Sequence, residues 1–227
     1  MNKADDKLLC LEHDYLFEEI QGLKWLPWIG AKYFDTEQRL LIVGESHYLL
    51  PKNDKYYEKN KQEAEQPDFT RNVVQTYCLE STKPQLFYDN LNRCLFGKGD
   101  ISKIAFKDRE KMWQQLAFYN FVQRPMKNNK KRPKSEDWDT GWKVFGELIK
   151  ILKPTKCIFI GVAAADNYNP YECHRLKKEK VGNVAPRSFT VQLDEQLSVL
   201  CVAIKHTSHH FSWKEWRNFL KNHNFLF

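Results

Sequence analysis

The chain has 227 residues, 42% hydrophobic and 29% charged, a balance that suits one globular domain and excludes a largely disordered chain. At this length folding buries roughly 70% of the unfolded surface, so no disulfide or metal staple is needed. Lys plus Arg number 36 against 29 Asp plus Glu, a net charge of +7 that favours an anionic partner, and no stretch approaches the ~20 apolar residues of a membrane span.

The first residues carry two acids and no apolar core, which excludes a secretory signal at this end. Residues 13–25 read as an amphipathic helix, with Leu16, Ile20 and Leu23 on one face and Pro27 as its stop. The continuous apolar run 39–44, closed by Gly44, predicts a buried strand of the parallel type. Residues 52–66 are polar and read as an exposed insertion. Helical spacing returns over 84–96, through Leu86, Phe87, Leu91, Cys94 and Leu95.

A second strand is predicted over 115–122, interrupted by Asn120. It leads into a loop, 124–134, with two prolines, six Lys or Arg and no acid. A helix over 142–152 carries Trp142, Phe145, Leu148, Ile149 and Leu152 on one stripe. Strands follow over 157–161 and 199–204, and Ser212 with Glu215 forms a capping box that opens a last helix. The six cysteines are scattered without a C-x-x-C pair, which argues against zinc and iron–sulfur knuckles and points to a reducing cytoplasm.

Short apolar strands alternating with helices predict an α/β fold with a mainly parallel sheet, in which ligands bind beyond the carboxyl ends of the strands. Three strand ends deliver polar side chains there. They are Glu45, Ser46, His47 and Tyr48; then Asn120 with the basic loop; then His206, Thr207, Ser208, His209 and His210. A nucleophile elbow at Ser46 is disfavoured, because Tyr48 stands where a glycine is required and no helix follows directly. A metal site at the three histidines is disfavoured too, because they precede the capping box and lie on a loop. The single sign of the charges in 124–134 points to phosphate contacts.

Taken in order, these segments resemble the uracil-DNA glycosylase superfamily, and its iron–sulfur branch in motif style. That branch carries Gly-Glu-Ala-Pro-Gly after its first strand, where this chain has Gly44, Glu45, Ser46, His47 and Tyr48. Its middle-strand Asn-Val-Val motif is similar to Asn120, Phe121 and Val122, and its final His-Pro-Ser to His206, Thr207 and Ser208. The resemblance spans about residues 40–216. It implies a single domain over 1–227, a core at about 39–220 and a helical extension over 1–38. The implied architecture is a three-layer α/β/α sandwich around a mainly parallel four-stranded sheet.

The resemblance also implies roles. Glu45 would orient water or steady positive charge on the sugar, and His206 would stabilise charge on the departing base. Asn120 would read the uracil edge, Tyr48 would shield the pocket, and Phe69 or Phe87 would stack on the base. DNA would be held by Arg124, Lys127, Lys130, Lys131, Arg132 and Ser208, with His210 or Phe211 as the wedge. The cluster's paired cysteines are missing, and Gln123 stands in place of another, so no cofactor and no metal are expected. The implied activity is excision of uracil or a related deaminated base from DNA by a monomer. A silent nucleic-acid-binding module and a nucleoside hydrolase are the alternatives.

Overall fold

Seven strands build one sheet in this computed structural model, which describes residues 1–80, 84–127, 131–167, 170–208 and 210–226. They are β1 (Trp28–Ile29), β2 (Leu40–Tyr48), β3 (Leu116–Met126), β4 (Lys156–Ile160), β5 (His174–Arg175), β6 (Arg187–Gln192) and β7 (Ser198–Ile204). The order across the sheet is β1-β3-β2-β4-β7-β6-β5. The apolar runs of β3, β2, β4 and β7 pair in parallel at the centre, and β1, β6 and β5 add antiparallel strands outside them. The sheet is therefore larger than the four-stranded, mainly parallel one expected, and it is mixed. β6 escapes a search for apolar runs because only one of its faces is buried: Phe189 and Val191 point inward and Thr190 and Gln192 outward. β1 and β5 are two residues each, too short to carry a pattern.

The helices are α1 (Asp14–Glu18), α2 (Tyr57–Glu63), α3 (Phe69–Val74), α4 (Leu86–Phe96), α5 (Phe106–Trp113), α6 (Ser135–Leu152), α7 (Ala163–Asp166) and α8 (Trp213–Asn222). Among the described residues none is long and apolar enough to cross a membrane. Alternate residues of the central strands feed two apolar clusters. Leu41, Val43, Tyr119, Phe121 and Phe159 meet Trp138, Trp142, Phe145 and Leu148 of α6. Ile42, Phe118, Ile158 and Val202 meet Leu91 and Leu95 of α4, Trp113 of α5, and Trp216 and Leu220 of α8. Period-two alternation thus places helices on both faces of an α/β sheet.

Several boundaries differ from the pattern. The helix expected over 13–25 stops at Glu18, and the chain then turns at Gly22 with φ of 90°. Those first residues are tied down instead by Arg71 of α3, whose buried guanidinium donates to both carboxylate oxygens of Asp14, at 2.6 and 2.8 Å, and to the Pro27 carbonyl. α6 begins seven residues before Trp142, where Asp137 accepts from the Lys134 backbone N–H. α8 begins after Ser212, but that side chain makes no capping hydrogen bond. The insertion at 52–66 holds α2, which buries none of its residues.

One close approach sets the seat of α6. A Cβ added at Gly141 would lie 2.1 Å from the Phe121 ring of β3. Gly141→Ala gains helix propensity of about 1 kcal/mol. Overpacking at this contact costs more, so the variant is expected to lose roughly 1–2 kcal/mol, read as a lower urea midpoint.

Candidate functional site

β2 and β4 are parallel neighbours, and the chain leaves β2 toward β3 on one side and β4 toward β5, β6 and β7 on the other. The crevice therefore opens at their carboxyl ends. Gly44 pairs with Asn120 across β2 and β3, and the Asn120 Oδ1 lies 2.1 Å from where a Gly44 Cβ would stand. Only a bare α-carbon admits that amide. Asn120 is 2% exposed, and its Nδ2 has no hydrogen-bond partner among the described residues. Beyond Ser46 the pairing slips, from Ser46 opposite Val122 to Tyr48 opposite Met126. The bulged stretch of β3 holds Gln123, Arg124 and Pro125. Gln123 accepts from the backbone N–H groups of Lys24 and Trp25 and donates to the Asn120 carbonyl, so the expected cysteine position is a structural tie.

Glu45 and His206 meet at Gly161. A Cβ on that glycine, whose φ is 118°, would lie 3.4 Å from Glu45 Oε2 and 3.6 Å from His206 Cδ2. The Glu45 Oε1 is buried without a hydrogen-bond partner among the described residues. Burial pushes the Glu45 carboxyl above its usual range, and Arg132 and the Tyr48 hydroxyl pull against that shift. The His206 Nδ1 accepts from the Ser208 backbone N–H at 3.3 Å and stands 2.8 Å from the Ser208 hydroxyl, which puts the ring proton of the neutral form on Nε2.

A relay of rings runs from His206 toward Gly44, the register partner of Asn120, whereas Glu45, the next residue of β2, alternates to the other face of the strand. Phe87 lies 5.1 Å from the His206 ring, Tyr88 4.8 Å from Phe87, and Phe118, whose ring faces Gly44, 6.4 Å from Tyr88. Thr207, where the resemblance has proline, is fully buried. Its hydroxyl donates to the Phe87 carbonyl at 2.9 Å, and its own carbonyl accepts from Asn90 at 2.7 Å.

The remaining residues singled out from the sequence divide. Phe69 is buried against Trp25 and His47, in a cluster apart from Phe87. Phe211 is buried and stacked on Trp216, so it presents no wedge, whereas His210 is exposed with φ of 48°. Arg124 lies on β3 and is held by both carboxylate oxygens of Asp137 at 2.6 Å, so its charge is committed within the fold. Lys127, Lys131 and Arg132 are exposed. Lys130 and His209 lie outside the described residues. Among the described residues no disulfide is formed, and no cluster of three His, Cys, Asp or Glu is arranged to hold a metal. A surface recess of about 300 Å³ lies between α4 and α5 at Asp89, Arg93 and Arg109, away from Glu45.

No protein-family model matches this chain, and a search of curated proteins finds no match.

His47, adjacent in sequence to the site, is a core residue. Its Nε2 lies 2.9 Å from the Thr70 hydroxyl, its ring sits edge-on to Trp25, and desolvation lowers its pKa from 6.5 to about 3. Between those values the unfolded chain holds a proton that the folded protein does not. Stability should therefore fall as pH drops through that window, by roughly 4 kcal/mol at its lower end. Urea titrations from pH 7 to 4 check this, and His47→Gln should flatten the slope.

Proposed function

We propose that the protein hydrolyses the N-glycosidic bond of uracil, or of a related deaminated base, in DNA. The observation that carries this reading is the approach of a buried carboxylate and an imidazole to Gly161, with a buried amide on the strand next to that of the carboxylate. Cleavage of this bond places positive charge on the sugar and negative charge on the base. Glu45 serves the first, by charge and by taking a proton from the attacking water. The His206 Nε2–H serves the second, as a donor to a base carbonyl. The Asn120 amide accepts from uracil N3–H and donates to O4, the reverse of what cytosine presents.

The target base leaves the stack to reach these groups. Phe87 is the aromatic better supported for stacking, because it already contacts the imidazole. The fold proposed to underlie this is the superfamily's α/β/α sandwich, its parallel centre here extended by antiparallel edges. The exposed Lys127, Lys131 and Arg132 supply backbone contacts.

The test is base release from uracil-containing single- and double-stranded DNA, scored as abasic sites. Glu45→Gln, Asn120→Ala and His206→Ala are each expected to lower the rate about 100-fold or more. Wild-type activity should rise with pH as Glu45 loses its proton, with a midpoint above the ordinary carboxylate range. No release from uracil, hypoxanthine or xanthine substrates overturns the proposal.

A further inference from the structure

Arg132, from the basic run after β3, reaches into the site. The Arg132 Nη2 lies 3.5 Å from Glu45 Oε2, and the two ends of this ion pair are unlike: the Arg132 side chain is 66% exposed and that of Glu45 5%. The other titratable groups facing the carboxylate are Tyr48 on its own strand and His206 on the loop after β7. Neither is a cation anchored in solvent. Among the described residues Arg132 alone joins the buried acid to the surface that a polyanion would meet.

We propose that Arg132 is a positioning residue that trades Glu45 for a backbone phosphate when a nucleic-acid strand docks. This rests on the reading above for its partner. A single contact at 3.5 Å, open to solvent on one side, is weakly held. Phosphate offers the guanidinium a paired, charge-assisted geometry instead. Arg124 is not available for that exchange, because Asp137 occupies its fork. When Arg132 departs, the carboxylate loses its nearest cation while staying buried, and its affinity for a proton rises. The acid becomes a stronger base once a strand is in place.

The experiment follows the Glu45 carboxyl by NMR in protein carrying 13C-labelled glutamate, with Glu45→Gln assigning the signal. Its titration midpoint is measured alone and with a ten-nucleotide oligothymidylate, which contains no uracil. The wild-type midpoint should move upward when the oligonucleotide binds. In Arg132→Ala it should start higher and stay put, and the slope of log affinity against log salt should lessen by ~0.7. Arg132→Lys should keep part of the free-protein effect, and a thermal melt confirms that both variants fold.

An Arg132→Ala midpoint equal to wild type overturns the proposal. So does a wild-type midpoint unmoved by bound oligonucleotide, or a failure of the oligonucleotide to bind. Base release is scored separately. A protein that shows the exchange but frees no uracil loses the glycosylase reading and keeps this one.

Discussion

A missing side chain holds the candidate site open to the Asn120 amide. β2 and β3 run parallel with Gly44 opposite Asn120, so the amide oxygen occupies the place of a side chain at the glycine. Sliding one strand past the other would not relieve a clash there, because a one-residue slip turns every inward side chain outward. The next residue on β2 is Glu45, and its carboxylate leans toward a second glycine, Gly161, at the end of β4. Two adjacent strands thus each give up a side chain at the carboxyl edge, and the space is taken by polar groups from neighbouring strands. The sheet's parallel centre brings those strand ends to one edge; the two glycines let their side chains approach.

Charge is spent differently from what composition suggests. The run 124–134 has no acid of its own, yet two of its arginines find carboxylates elsewhere: Arg124 on Asp137 and Arg132 on Glu45. The first pair fixes the start of α6 against β3, since the same aspartate accepts from the Lys134 backbone. The second reaches the buried acid. A net positive balance is therefore only partly a free surface field.

The central strands were legible because parallel strands buried on both faces read as unbroken apolar runs. The same rule hid β6, whose single buried face breaks its run at every second residue. Glu45, Asn120 and His206 were legible as polar residues at strand ends, but which way each points was not. His47 shows the limit. It sits two residues from Glu45, beside the bulge, and turns into an aromatic cluster with Trp25 and Phe69. Phe211 likewise packs on Trp216. The aromatic content of a segment does not say which rings the core takes. The Arg132 contact is tertiary, 87 residues from its partner, and no local spacing encodes it.

Thr207 binds two parts of the molecule into one mechanical body. Its hydroxyl and carbonyl are both fastened to the first turns of α4, at Phe87 and Asn90, while His206 precedes it in the chain. A displacement of the loop after β7 must drag the start of that helix along. The imidazole and the phenyl ring keep their spacing as they travel, like two teeth of one jaw, and any closure at this edge is a motion of α4 as much as of the loop.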